Sequence, residues 1–283
     1  MNEFSPPSGA VRDIVERALA EDFGVLGDIT SLASIDRDSF TVASLVARDE
    51  GVFAGGSCVA EAFAQVDPNV IVRWRVHDGD SVGPGTVIAT VEGPTRSVLA
   101  GERVALNLAC HLSGVATATN RLVRATNGRT RILDTRKTLP GLRALQKAAV
   151  RAGGGFNHRD SLSDAVLLKD NHLAVAGIGG AVARARAQWP GRMVEVECED
   201  LVQVREAIAA GVDRVMLDNM TPQEVRDAVA VIGGAAEVEV SGRITIDTVG
   251  EYADAGADFI SVGAITHSVV VFDIGLDFAD AEG

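Results

Sequence analysis

Three lysines stand against 23 arginines among the 26 basic residues of this chain. All three, Lys137, Lys147 and Lys169, fall in one stretch. That stretch also carries Asp134-Thr135-Arg136-Lys137-Thr138, Gly153-Gly154-Gly155 and Asn157-His158-Arg159. Where arginine supplies the charge everywhere else, a retained ammonium points to a need for its compact three-donor head or its shiftable pKa. Lys147, inside the helical-looking run Leu142 to Arg151, reads as an ordinary surface residue. Lys137 and Lys169 join Arg136, His158 and Arg159 in a cationic set suited to a ligand with several carboxylates or phosphates, because arginine grips planar oxyanions bidentately. Taken singly, His158 or His267 reads more readily as a structural than as a functional histidine.

A second set is acidic. Glu197 and Asp218 each follow an apolar run, and paired hard-oxygen ligands suit Mg²⁺, which tends to use one or two carboxylates together with substrate phosphates. Glu195 and Glu199 share the strand face of Glu197, so depth must decide among them. Ser241-Gly242 and Gly263-Ala264 are short glycine turns after strands, where backbone N–H groups cradle phosphate. Thr266, His267 and Ser268 offer side-chain donors beside the second turn. Cations, carboxylates and glycine turns together predict a magnesium-assisted reaction on a phosphorylated substrate.

Residues so far apart in sequence need a scaffold that gathers them. From Arg131 onward, apolar runs end in polar residues and helical stretches follow. The runs are Thr130–Leu133 before Asp134, Ala165–Leu168 before Lys169, Met193–Val196 before Glu197, Arg214–Leu217 before Asp218, Ala236–Val240 before Ser241 and Asp258–Val262 before Gly263. Such a series predicts an α/β fold with a parallel sheet of about six strands, closed as an irregular barrel, whose C-terminal strand ends converge on one mouth. Upstream, Val11–Glu21 has helical spacing, Ser39–Ala47 and Val70–Val76 read as strands, and Asp78-Gly79-Asp80 and Gly83-Pro84-Gly85 as turns. Val76–Val82 with Ile88–Val91 resembles the hammerhead hairpins of biotinyl and lipoyl carrier domains. No lysine precedes Lys137, so a carrier function is excluded and only the fold likeness stands. The expected organisation is an N-terminal α+β hammerhead-like sandwich over 1–112, an α/β-barrel catalytic domain over 113–268, and a C-terminal tail, 269–283, returning to the N-terminal domain.

Composition narrows the class. A net charge of -13 argues against a nucleic-acid or acidic-membrane surface, which needs a broad basic face. Cys58, Cys110 and Cys198 are odd in number and lack paired spacing, so neither a disulfide framework nor a zinc site is indicated. No stretch reaches the roughly 18 apolar residues of a membrane span, and Met1–Ala10 does not read as a secretory signal. A cytoplasmic protein is the expectation.

The ordered motifs resemble one family. Asp134-Thr135-Arg136-Lys137-Thr138-Leu139-Pro140-Gly141-Leu142-Arg143, Gly153–Arg159, Lys169-Asp170-Asn171-His172 and Leu217-Asp218-Asn219 are similar to the quinolinate phosphoribosyltransferases, also called nicotinate-nucleotide pyrophosphorylases (carboxylating). Glu102-Arg103 with Asn107, Ser113–Thr117, Glu195-Val196-Glu197 and Gly263–Ser268 match in the same order. The likeness runs from Glu21-Asp22 to Asp273–Asp277, nearly the whole chain.

The resemblance implies transfer of a phosphoribosyl group from phosphoribosyl pyrophosphate to the ring nitrogen of quinolinate, with loss of carbon dioxide and release of pyrophosphate, to give nicotinate mononucleotide for NAD synthesis. It implies that Arg103, Thr135, Arg136, His158, Arg159 and Lys169 bind quinolinate, Arg103 arriving from the neighbouring subunit of a homodimer or larger oligomer. Lys137 would meet the pyrophosphate; Glu197 and Asp218 would meet the ribose hydroxyls and Mg²⁺. Ser241, Gly242, Gly263, Ala264 and His267 would hold the 5-phosphate, and Lys137, Lys169, Glu197 and Asp218 would carry the chemistry. Two positions depart from the family pattern: Arg243 where a glycine is usual, and Ala148 where an aromatic often follows the lysine. A sister phosphoribosyltransferase for another planar acid and a non-catalytic phosphometabolite-binding barrel are the alternatives. A related branch near molybdenum transport shares part of the Asp-Thr-Arg-Lys motif, but Asn157-His158-Arg159 with Lys169 favours quinolinate.

Overall fold

A computed structural model describes residues 4–278. In chain order the elements are α1 (Ser8–Phe23), α2 (Ile29–Ser34), β1 (Phe40–Ala47), β2 (Gly51–Val52), α3 (Gly56–Val66), β3 (Ile71–Trp74), β4 (Ser81–Val82), β5 (Val87–Pro94) and α4 (Thr95–Ala125). There follow β6 (Arg131–Leu133), α5 (Arg143–Ala152), β7 (Val166–Leu168), α6 (Asp170–Ala176), α7 (Ile178–Gln188), β8 (Val194–Cys198), α8 (Leu201–Ala209), β9 (Arg214–Asp218) and α9 (Pro222–Ile232). The last are β10 (Glu237–Ser241), α10 (Val249–Asp254), β11 (Phe259–Ser261), α11 (Ala264–His267) and β12 (Ile274–Phe278). Among the described residues two compact units share them, and neither is continuous in sequence: 4–120, 138–154 and 265–278 form one, 121–137 and 155–264 the other.

The first unit is built on an antiparallel sheet ordered β12-β1-β5-β3, with the small pair β2-β4 beside it. The C-terminal strand completes this sheet, Leu276 opposite Leu45. Helix α1 buries Val11, Val15 and Leu19, one stripe at four-residue spacing. Phe53 and Phe63 are fully enclosed, and the Phe53 ring meets Trp74 at 5.9 Å between centroids. The surface position expected for Lys147 is not what the fold gives it: Lys147 is only 2% exposed. Helix α5 buries Leu145 through Val150 without a break, so it is enclosed on every side and has no outer face for a lysine to occupy. Its neighbour Gln146 ties three segments together. It accepts from the Leu139 N–H at 3.0 Å, donates to the Thr266 carbonyl at 2.6 Å and meets His111 Nε2 at 2.9 Å.

The second unit is the α/β fold expected from the sequence: six parallel strands in the order β6-β11-β10-β9-β8-β7. Five of the strands, β6 and β8 to β11, bury one face of Val, Ile or Leu. Ile132, Val194, Val196, Val215, Leu217, Val238, Val240 and Ile260 are all buried there, as the period of two requires. Burial of those side chains against the helices is the main stabilising term. Helix ends are well specified: Thr221 and Glu224 form a reciprocal cap on α9, with Pro222 in its first turn. Asp200 accepts from the Val202 and Gln203 N–H groups at the start of α8. The opposite face of the sheet carries Glu195, Glu197, Arg214, Met216, Glu239 and Ser261, and that face makes the site. Among the described residues no helix is long and apolar enough to cross a membrane.

Candidate active site

Parallel strands deliver their last residues to one end of the sheet, and that end holds a cavity of about 280 Å³. Thr135, Arg136 and Lys137 line it from the segment after β6, His158 and Arg159 from the segment before β7, and Lys169 and Ser241 from the ends of β7 and β10. Leu167, Met216, Glu239 and Ser261 complete the wall. Seven residues singled out from sequence therefore meet in one place.

Local bonds hold the cationic side. Asp134, fully buried at the end of β6, accepts from Asn157 Nδ2 at 2.5 Å and from the His158 N–H at 3.0 Å. A parallel bridge between Leu133 and Phe156 brings the 155–159 segment alongside. Thr135 Oγ1 accepts from the Lys137 N–H at 3.0 Å, which sets the turn carrying Arg136. Arg159 Nη1 donates to the Ala165 carbonyl at 3.2 Å. Burial, and then the charge of Arg136, push the Arg159 pKa down. Two guanidinium groups are thus crowded together, an arrangement relieved by a ligand with more than one negative charge.

Glu197 and Asp218 stand at the margin, at the C-terminal ends of β8 and β9. Glu197 pairs with Lys169 and lines a second hollow with Asp170, Glu199 and Gln203. Burial and then the charge of Glu197 raise the Asp218 pKa, while Lys169 and Lys137 pull it back. A crowded carboxylate pair, hard in its donor atoms, fits a divalent cation. His172 Nδ1 accepts from the Lys169 N–H at 3.0 Å, a helix-start role for that histidine.

Depth separates the three glutamates of β8 and its flank. Glu199 is exposed beyond the strand, Glu197 is mostly covered near the mouth, and Glu195 is fully buried below. Glu195 Oε2 lies 3.0 Å from His158 Nε2, and Glu239 Oε2 lies 3.5 Å from the same atom. Arg214 closes the floor, Nη1 donating to Glu239 at 3.0 Å and Nε and Nη2 to Glu237 at 3.1 and 2.8 Å, while its guanidinium stacks on Phe259 at 4.0 Å. Burial raises the Glu195 pKa, the Glu239 charge adds to it, and the value reaches about 7 against the pull of His158 and Arg214. Burial also opposes ionisation of Glu239, but His158 and Arg214 outweigh it and hold that carboxyl low. For His158, burial acts downward and the two carboxylates lift the ring to about 9. Against that lift, Nδ1 accepts the Arg159 N–H at 2.8 Å, a bond a protonated Nδ1 cannot take. The geometry decides for the ring: it keeps one proton, on Nε2, which faces Glu195.

The remaining predicted residues do not line the cavity. Gly242 follows Ser241 with φ +96°, where an added Cβ would stand 2.3 Å from Asn219 Oδ1; only glycine fits. Arg243, the departure noted above, also has positive φ, +51°, a conformation that glycine adopts more cheaply. Gly263 and Ala264 follow β11. His267 belongs to the first unit, with Nδ1 2.6 Å from Ser268 Oγ. Arg103, also of the first unit, is 64% exposed along its side chain and lines a different hollow with Leu106, Asn107 and Cys110. Sequence reasoning passed over Glu239, Arg214 and Ser261. Their signal was a charged or polar residue at every second position of otherwise apolar strands.

Comparison with known proteins matches residues 28–113 to the N-terminal domain of quinolinate phosphoribosyl transferase and residues 115–277 to its C-terminal domain. This chain belongs to the quinolinate phosphoribosyl transferase family. A probable nicotinate-nucleotide pyrophosphorylase (carboxylating) of Bacillus subtilis is 43% identical over 270 residues, covering 94% of this chain and 93% of its own length. The nicotinate-nucleotide pyrophosphorylase (carboxylating) of Mycobacterium leprae is 41% identical over 276 residues, covering 95% and 97%. The solved nicotinate-nucleotide pyrophosphorylase of Francisella tularensis superposes with a TM-score of 0.93 at 40% identity, over 97% of this chain and 98% of that one. The family identified from the Asp134–Arg143 and Gly153–Arg159 motifs is therefore the right one.

Proposed function

We propose that this chain transfers the phosphoribosyl group of phosphoribosyl pyrophosphate to quinolinate, with decarboxylation, and so makes nicotinate mononucleotide for NAD synthesis. The observation that carries the reading is the pairing of opposites at one set of strand ends: crowded guanidinium groups at Arg136 and Arg159, crowded carboxylates at Glu197 and Asp218. Quinolinate is flat and bears two adjacent carboxylates, which Arg136, Arg159 and Lys169 can grip while Thr135 and the His158 ring edge bound its plane. Holding the ring nitrogen in line with the sugar is the main work of this side.

Glu197 and Asp218 would hold Mg²⁺, which would supply positive charge for the departing pyrophosphate. Breaking the sugar–pyrophosphate bond builds positive charge on the ribose, and the same two carboxylates stabilise it. Lys137 takes up charge on the leaving group. Ser241 and the backbone around Gly242, with Gly263 and Ala264, form the 5-phosphate site. Positive charge on the ring nitrogen makes the neighbouring carbanion tolerable as carbon dioxide leaves, with Lys169 beside the departing carboxylate, and a proton from water takes the carboxyl group's place on the ring.

The active assembly in this reading is a homodimer or larger oligomer in which Arg103 enters a partner subunit's site; its exposure on α4 supports the role. A cytoplasmic location accords with three free, buried thiols. The test is pyrophosphate release from phosphoribosyl pyrophosphate and Mg²⁺ with quinolinate, nicotinate or no acceptor. Release with quinolinate alone, together with nicotinate mononucleotide, is expected. Release with another planar acid would move the chain to a sister activity, and none would leave a binding protein.

A further inference from the structure

The buried floor asks for an explanation that stability does not give. Glu195 and Glu239 lie side by side with their Oε1 atoms buried and without a hydrogen-bond partner. Two enclosed carboxylates next to each other are costly, and well-packed apolar residues in their place would hold the strands at least as firmly. A metal does not account for them either. The ligand atoms of His158, Glu195 and Glu239 lie within 4.8 Å of one another, but Nε2 faces Glu195 as a hydrogen-bond partner and Arg214 already occupies Glu239.

What the cluster does is fix a ring. Arg214, held by Glu237 and stacked on Phe259, sets the position of Glu239. Glu239 and Glu195 together hold the Nε2 edge of His158. The Nδ1 edge then accepts the N–H of Arg159. Arg159 is anchored again at its far end by the Ala165 carbonyl. Arg159 is thus held at its backbone and at its guanidinium, and the backbone bond leads down to the buried pair.

We propose that Glu195 and Glu239, anchored by Arg214, are positioning residues for the acid-binding side of the cavity, acting on Arg159 through the His158 ring. The inference rests on the quinolinate reading above. Neither glutamate needs to touch quinolinate; each acts by holding the ring whose other nitrogen holds the arginine backbone.

Glu195→Gln and Glu239→Gln keep volume while replacing one accepting carboxylate oxygen by an amide nitrogen that can only donate. Each is expected to raise the quinolinate KM roughly tenfold, the size of one charge-assisted hydrogen bond, with the phosphoribosyl pyrophosphate KM changed by less than about twofold. In a His158→Ala background the Glu195→Gln change should vanish, because the two act in series. An unchanged quinolinate KM, equal rises in both KM values, or a full Glu195→Gln effect without His158 would each overturn the proposal. If the glutamine variants do not fold, nitrogen-15 histidine spectra of the unaltered protein decide: His158 should show a protonated Nε2 and an accepting Nδ1, and the opposite tautomer overturns the chain of contacts. Failure of the unaltered enzyme to use quinolinate would refute the functional reading instead, so the two failures are distinct.

Discussion

The Lys169 ammonium, at the end of β7, pairs with the Glu197 carboxylate, at the end of β8. One group is suited to an anionic acid, the other to a cation and a sugar, so each screens its neighbour until ligands of matching charge replace it. The lysine side chain is 43% exposed and the glutamate 12%. With its lysine partly in water, such a pair contributes about 1 kcal/mol or less to folding. Lys169→Ala should therefore leave the thermal midpoint within roughly 3 °C of the parent while lowering turnover of quinolinate by about a hundredfold or more. Melting curves and pyrophosphate release measured on one preparation check both halves. Near-normal turnover would remove Lys169 from the site.

Arg103 gives a test of assembly. If it serves a partner subunit's site, Arg103→Ala is inactive for want of one group and Lys169→Ala for want of another. Dissociating and recombining the two inactive variants in equal amounts should then restore about a quarter of parental activity, because half the dimers are mixed and each mixed dimer has one intact site. Mixing that restores nothing would confine each site to one chain.

The first phosphate turn makes a sharper structural prediction. Gly242 has φ +96°, and an added Cβ would lie 2.9 Å from the Asn219 backbone nitrogen as well as against its side chain. Gly242→Ala should cost about 1–3 kcal/mol of stability and raise the KM for phosphoribosyl pyrophosphate, leaving that for quinolinate nearly unchanged. Arg243→Gly, at φ +51°, should be tolerated, since the change relieves a left-handed arginine. Denaturant titration with paired KM measurements separates the two variants, and a Gly242→Ala protein as stable as the parent would show that the turn accepts a side chain without moving Asn219.

What could be read in advance follows from which forces are local. The strand ends at Asp134, Lys169, Glu197, Asp218 and Ser241 were legible because an apolar run that stops at a polar residue signals where a parallel strand leaves the core. The floor was not legible. Glu195-Val196-Glu197 and Glu237-Val238-Glu239 have the same alternation as a strand with one wet face, and only the register of β8, β9 and β10, with Arg214 between them, turns that face into a buried cluster. Lys147 misled for the complementary reason. Nothing in Arg143–Ala152 says that the helix is enclosed on all sides, since the enclosing groups come from elsewhere in the chain.

The Gln146–His111 contact predicts a dependence on pH apart from the chemistry. Gln146 Nε2 is a donor, so the His111 Nε2 it meets at 2.9 Å must be the unprotonated nitrogen. Burial pushes the His111 pKa below its ordinary value of 6.5. A histidine whose pKa is lower folded than unfolded adds nothing to pH dependence well above 6.5. It withdraws stability as pH falls below that value and through the folded pKa, because the unfolded chain then binds the extra proton more readily. As pH is taken from about 7 to about 5.5, the protein should accordingly lose more, or gain less, in melting temperature than His111→Gln, which cannot take up a proton; Glu195, which takes up a proton near 7 and acts the other way, is common to both. Carboxylates held low, such as Asp28 and Asp67, titrate further down and are common to both proteins, so they cancel in the difference. Equal slopes for the two proteins would show that His111 is as easily protonated in the fold as outside it, and would break the link between this histidine and the anchoring of the Thr138–Leu142 segment through Gln146.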